Sequence, residues 1–314
     1  MENIGKKVKV AVIGTGKLGA IHSRIYGEIP QADLIGVCDI NRERAEEAAA
    51  SCGVRAFTDF RELFSLVEAV SIAVPTRLHY AVAHEFLKRG KHVLVEKPFT
   101  STLPEAGRLI REAARNRCTL QVGHVERFNS AFTATQNLIK NPLFIECHRL
   151  SPFPNRSIDV GVVLDLMIHD IDIVQGLVNG PLKKVEAVGV EVLTPFEDIA
   201  NARLTFETGC ICNLTVSRVS DELMRKIRIF QKNTYISLDY RKEEAFIYTK
   251  TPTGITRESL PIEKEEPLKK ELSSFLDCVI KRQAPIVTGE IARNALAVAL
   301  QIQKQIWKNK PKIS

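Results

Sequence analysis

Over its first 124 residues the chain alternates short, unbroken apolar runs with amphipathic stretches. The runs at 8–13, 33–38, 68–74, 91–97 and 119–124 are rich in β-branched residues, and they read as strands buried on both faces. Between them, AIHSRIYGEI has helical spacing and INRERAEEAAASC is a charged, alanine-rich helix. TDFRELFSL is a short helix with Thr58 or Asp59 as its cap. LHYAVAHEFLKRG is a helix stopped by Gly90, and LPEAGRLIREAARNR is one with Pro104 near its start. Strands that alternate with helices predict an α/β unit built on a doubly wound parallel sheet.

After residue 124 the pattern changes. A helix is expected over 129–140, a strand at FIECHRL, a loop through SPFPNRSID and an apolar helix over 161–178. From about 184 to 250, apolar and polar positions alternate with a period of two, which predicts an open-faced, mixed and largely antiparallel sheet. Two helices, 267–281 and 289–307, finish the chain. The expected division is 1–122 for the parallel α/β domain and 123–314 for a second, α+β domain, with the last helix a candidate to pack back on the first.

Composition narrows the function class. With 45% hydrophobic and 26% charged residues in 314, the chain has ample core for two globular domains. Its net charge of +7 is spread among acids, so it reads as surplus surface lysine or as steering of an anionic ligand, and nucleic acid is not an expected partner. Seven cysteines lack any paired ligand spacing; Cys210 and Cys212 form C-x-C with no second pair, so no metal is expected. Free thiols and an N-terminus without a long apolar core fit the cytoplasm, and no apolar run is long enough to predict a membrane span.

The first candidate site follows the first strand directly. In Gly14-Thr-Gly16-Lys17-Leu18-Gly19, the first glycine permits a tight turn, the second lets backbone approach a diphosphate, and the third lets helix and strand pack closely. The following helix offers N–H groups and a positive dipole end to the anion. Asp39 ends the second strand, where a carboxylate accepts ribose hydroxyls and repels a 2′-phosphate, which favours NAD over NADP. Arg42 and Arg44 follow closely and leave dual use open. An FAD or S-adenosylmethionine site, or a glycine turn with no ligand, shares the same local pattern.

Ligands of open α/β sheets lie at the carboxyl ends of the strands. Pro75 and Thr76 stand there after the third buried run, with His79 either lining the cofactor cleft or packing locally. Glu96-Lys97-Pro98 ends the next run. Lys97 is either a surface lysine paired with Glu96 or a desolvated amine able to exchange a proton with a substrate hydroxyl. Farther along, Asp165, His169 and Asp172 recur at i, i+4 and i+7 of the 161–178 helix, on one face, while Asp170 falls off that face and is expected at the surface. His169 with a neighbouring carboxylate is a candidate acid/base. His22 on the first helix reads as a packed residue.

In this order, GTGKLG, VPTRLHY, VLVEKPFT, QVGHVERFNSAF and LDLMIHDID resemble the glucose–fructose oxidoreductase/inositol dehydrogenase/MocA family over essentially the whole chain. The resemblance implies a Rossmann domain followed by an open-faced sheet domain, and hydride transfer between a sugar or polyol carbon and a nicotinamide cofactor. It implies that Lys97 is the active-site lysine and that Asp165 and His169 are the D-x-x-x-H pair. Arg127 and Asn129 become candidate substrate contacts. The wording VGHVERFN and DVGVVLDLMIHDID is similar to the branch that acts on UDP-linked N-acetyl amino sugars as 3-dehydrogenases. A free sugar or inositol, or a dinucleotide sensor without turnover, remain alternatives. A homodimer or homotetramer formed through the open sheet face is also implied.

Overall fold

The computed structural model describes residues 5–153 and 160–308. Part of the expected SPFPNRSID loop, at 154–159, and most of the basic C-terminal tail lie outside them. The chain divides into two compact units, 1–125 with 266–293, and 126–265 with 294–314. A single cut at residue 122 therefore misplaces 266–293, which packs with the first unit.

In the first unit, β1 (Val8–Ile13), β2 (Ala32–Cys38), β3 (Arg55–Phe57), β4 (Ala69–Ile72), β5 (His92–Glu96) and β6 (Leu120–Gly123) form one parallel sheet of order 3-2-1-4-5-6. This is the doubly wound order, with its switch point between β1 and β4. The strands are linked by α1 (Lys17–Glu28), α2 (Arg42–Cys52), α3 (Thr76–Leu87) and α4 (Leu103–Arg115). Local chemistry sets their ends. Asn41 caps α2 through the Arg44 N–H, and Thr102 and Glu105 make a reciprocal capping box on α4. TDFRELFSL is shorter than expected, a single 3-10 turn over Phe60–Leu63 capped by Asp59. Val8, Val10 and Val12 of β1 and Ile25 of α1 share a core with Leu272, Phe275 and Leu276. Those last three lie on a helix, 267–281, whose apolar face has no other place to be buried.

In the second unit, the single helix expected over 129–140 is broken. A 3-10 turn at Val125–Phe128 leads to α5 (Ser130–Thr135), and a second 3-10 turn, Gln136–Leu138, follows. Asn129 starts α5 by accepting the Ala131 N–H, and Thr135 turns its hydroxyl back on the carbonyls of Ala131 and Phe132. After β7 (Phe144–Leu150), the 161–178 helix proves to be a π-turn, Val163–Met167, continued by α6 (Ile168–Leu177).

The strands β8 (Leu182–Val190), β9 (Ile199–Phe206), β10 (Ile211–Ser217), β11 (Met224–Gln231), β12 (Thr234–Asp239), β13 (Glu244–Thr251) and β14 (Gly254–Ser259) complete a mixed sheet of order 14-13-12-11-7-10-9-8. Only β7 and β10 pair in parallel. One face is apolar and covered by the π-turn, α6 and the later part of α8 (Gly289–Lys308), which follows α7 (Pro267–Lys281). The other face is open. It carries a cross-strand stack of Phe144, Phe230, Tyr235 and Tyr248 with successive ring centroids 5.8, 4.7 and 4.8 Å apart.

Candidate active site

The turn between β1 and α1 has the conformation its glycines predict. Gly14 has φ +90°, and a Cβ there would stand 2.6 Å from the Ala73 carbonyl oxygen. A Cβ on Gly19 would meet the Gly14 carbonyl oxygen at 1.7 Å, so helix and turn touch through glycine alone. Gly16 faces open space. No side chain caps the N-terminus of α1, whose first residues Lys17 and Leu18 are exposed. Backbone N–H groups and the dipole end are thus left for an anion, and the cradle fits a dinucleotide diphosphate.

Asp39 is tied directly to this turn. Its Oδ2 accepts the Thr15 N–H at 2.8 Å and the Thr15 hydroxyl at 3.3 Å, and its Oδ1 accepts the Asn41 N–H at 2.9 Å. A carboxylate has about four lone-pair sites, so acceptor capacity remains for ribose hydroxyls. Thr15 is a residue the sequence reading passed over; its place between two glycines of the motif was the available signal.

Pro75 and Thr76 stand at the start of α3, exposed and half-buried respectively. His79 is different. Its ring is buried, with Nδ1 2.9 Å from the Pro98 carbonyl oxygen and Nε2 2.9 Å from that of Val74. Burial lowers its pKa, and the two carbonyls only partly offset this. Of the two readings of His79, lining the cofactor cleft or packing locally, these contacts favour local packing that joins the Val74 turn to the turn that carries Lys97.

Glu96 ends β5, and the Lys97–Pro98 peptide that follows is cis. The Glu96 carboxylate does not lie at the surface. Its side chain is buried over Gly123 of β6, where a Cβ would come within 2.8 Å of the carboxylate. Oε1 lies 3.1 Å from His22 Nε2, and Oε2 accepts the Lys97 N–H at 3.2 Å. Burial acts to raise the Glu96 pKa, but the hydrogen bond from His22, then the charge of Lys97, bring it below the usual carboxylate value. Lys97 itself is half-buried.

In the second unit, Asp165 lies in the π-turn and is half-buried, while His169 is buried in the first turn of α6. A π-turn inserts one residue into the helical register and is frequent at functional sites. Asp172 does not join them as a free acid: its carboxylate takes Arg127 Nε at 2.6 Å and Nη2 at 3.0 Å. Arg127 is thereby a brace between the 125–128 turn and α6. The Asn129 carboxamide accepts from Ala131 and donates to the Tyr240 carbonyl at 3.1 Å, so its polar atoms also serve the fold. Asp170 corrects the expectation of a surface residue. It is buried and holds Arg149 Nη2 at 2.8 Å, and Arg149 reaches Glu126 at 2.7 Å, a three-member ion cluster on the inner face of β7.

Among the described residues, no helix is long and apolar enough to cross a membrane.

Comparison with known proteins agrees with this chemistry. Residues 8–124 match the model of an oxidoreductase family with an NAD-binding Rossmann fold, and residues 122–235 match the GFO/IDH/MocA C-terminal domain. A UDP-N-acetylglucosamine 3-dehydrogenase of Acidithiobacillus ferrooxidans is 37% identical over 94% of this chain and 96% of its own. A solved structure of that enzyme superposes with a TM-score of 0.91 at 36% identity, covering 96% of this chain and 97% of the other. The myo-inositol 2-dehydrogenase of Thermotoga maritima is 27% identical over 95% of this chain and 96% of its own. Levoglucosan dehydrogenase in complex with NADH and levoglucosan, 18% identical, shares the fold at a TM-score of 0.88 over 97% of this chain and 98% of its own. The glycine turn with Asp39, the Glu96-Lys97-Pro98 turn and the two matched domains together show that this chain belongs to the Gfo/Idh/MocA family of NAD-dependent oxidoreductases.

Proposed function

We propose that this NAD-dependent dehydrogenase oxidises the C3 hydroxyl of UDP-N-acetylglucosamine or a closely related UDP-linked amino sugar to the 3-keto sugar. The observation that carries this reading is near full-length similarity, at 37% identity, to a UDP-N-acetylglucosamine 3-dehydrogenase, well above the 27% shared with an inositol dehydrogenase. The surplus of positive charge suits a diphosphate-bearing substrate.

In this reading the Gly14–Gly19 turn and the N-terminus of α1 bind the dinucleotide diphosphate, and Asp39 accepts the adenosine ribose hydroxyls. Pro75 and Thr76 line the cofactor beside them. NAD supplies the hydride acceptor when bound. Lys97 and His169 are the two candidates to take the hydroxyl proton as hydride leaves the same carbon, and Asp165 orients the imidazole. One proton goes to the base and two electrons leave with the hydride, so alcohol becomes ketone with no other reactant. Removing a positioned general base typically lowers kcat by about 10²–10⁴-fold. Lys97→Ala and His169→Ala are expected to show such losses at one or both positions; near wild-type turnover in both variants contradicts the assignment.

The open face of the second unit, with its stack of four aromatic rings, is read as a self-association surface of a homodimer or homotetramer.

A further inference from the structure

The strongest unassigned feature is a line of buried polar side chains inside the first unit. It begins at Ser71 of β4, beside the buried Tyr26 of α1. Ser71 Oγ is 2.7 Å from His22 Nδ1, and His22 Nε2 is 3.1 Å from Glu96 Oε1. Glu96 Oε2 in turn accepts the N–H of Lys97. Tyr26, His22 and Ser71 are each no more than 1% exposed, and Glu96 is 6% exposed.

The polarity of this line follows from its ends. An ionised Glu96 only accepts, so His22 Nε2 carries the proton it donates. His22 Nδ1 then accepts from the Ser71 hydroxyl. Every bond points toward one carboxylate, an arrangement in which hydrogen bonds reinforce one another. Ser71, His22 and Glu96 have the composition of a nucleophilic triad, but Ser71 lies within a strand of four fully buried residues, where no substrate carbonyl reaches its hydroxyl.

Burying three polar side chains, one of them a carboxylate, costs stability relative to apolar residues of similar shape. The line does join two functional points. His22 sits on the helix whose N-terminus forms the phosphate cradle, and Glu96 holds the peptide of Lys97. His79 secures the other side of the same turn at the Pro98 carbonyl.

We propose that the Ser71–His22–Glu96 line is a positioning device for Lys97, which ties the lysine-bearing turn to the cofactor-binding helix. His22 is its central positioning residue and touches neither substrate nor cofactor. The inference deepens the proposed role of Lys97 and rests on it.

The test uses the full-length chain with His22→Leu, His22→Gln and Ser71→Ala. First, without cofactor or substrate, Lys97 is labelled by limiting acetic anhydride, and its rate is read by peptide mass spectrometry against exposed Lys88. His22→Leu is expected to move the Lys97 rate toward that of Lys88 by about threefold or more, because small displacements of a positioned group have large effects. Second, steady-state kinetics with NAD and the sugar nucleotide are expected to show kcat lower by about ten- to a hundredfold in His22→Leu, with the KM for NAD changed much less. His22→Gln, whose carboxamide still donates to Glu96, recovers part of both. Unchanged labelling and unchanged kcat in a His22→Leu protein that binds NADH overturn the proposal. If His22→Leu does not bind NADH, Ser71→Ala decides: it leaves the His22–Glu96 contact in place, and a smaller shift in the same direction is expected, whereas no shift overturns the proposal. Wild-type protein that turns over no sugar nucleotide counts against the proposed substrate, while the labelling result still decides the role of His22.

Discussion

At the scale of single residues, the cofactor half was legible because its requirements are local. Gly14 and Gly19 are demanded by backbone that any Cβ would strike, and such positions leave a fixed spacing in the sequence. Gly19→Ala is expected to destabilise the first unit by about 1–3 kcal/mol or more through overpacking, and to abolish NADH binding. Thermal unfolding and cofactor fluorescence check this. Asp39 was legible for the same reason, although its grip on Thr15 was not. Asp39→Ser is expected to raise the KM for NAD by about tenfold, since a carboxylate's charge-assisted hydrogen bonds contribute about 1.5–3 kcal/mol, and to raise NADP use relative to NAD. Equal preference before and after substitution contradicts the assignment. The line from Ser71 through His22 to Glu96 was not legible, because three separate elements bring it together. The available trace was Ser71 alone in the apolar run AVSI and a histidine on the inward face of α1.

At the scale of elements, apolar periodicity found most strands and most helices, passed over the three-residue β3, and failed where burial is not one-sided. The 161–178 segment is apolar on every side but the one that carries Asp165, His169 and Asp172, apart from Asp170, and this pattern holds no sign of the π-turn at Val163–Met167. Asp170 was misassigned to the surface for the same reason, since the helix meets protein on that side as well. Its partner Arg149 occupies an inward position of β7, where an alternating pattern expects an apolar residue. β14 was missed because all six of its residues are exposed and no hydrophobic alternation marks it. The ion cluster makes a firm prediction. Arg149→Met strands Asp170 and Glu126 as buried charges and is expected to destabilise the second unit by about 3–5 kcal/mol in urea denaturation. Combining it with Asp170→Asn and Glu126→Gln is expected to recover most of that loss, because the cost lies in the unpaired charges.

At the scale of the whole molecule, the order of motifs along the chain carried more than any one of them. A glycine turn alone is compatible with several ligands; the Glu96-Lys97-Pro98 turn and the D-x-x-x-H segment of a second domain narrow it to a dehydrogenase family. A returning helix was expected, but the one that returns lies in 266–293, while the last helix from residue 294 belongs to the second unit; which helix returns was illegible, because the apolar stripe of an amphipathic helix says that it is buried and not against what. The open sheet face leads to a further expectation: Phe230→Asp combined with Tyr235→Asp lowers the association state in analytical ultracentrifugation, and unchanged sedimentation contradicts a role for the ring stack in assembly. The substrate is the central claim. The direct measurement is nicotinamide reduction by the purified chain with NAD and, separately, UDP-N-acetylglucosamine, free N-acetylglucosamine and myo-inositol, with the sugar product identified by mass spectrometry. The account predicts NADH formation with UDP-N-acetylglucosamine and a product two hydrogens lighter, its keto group at C3. Turnover confined to the free sugar or to inositol, or oxidation at another carbon, would contradict it.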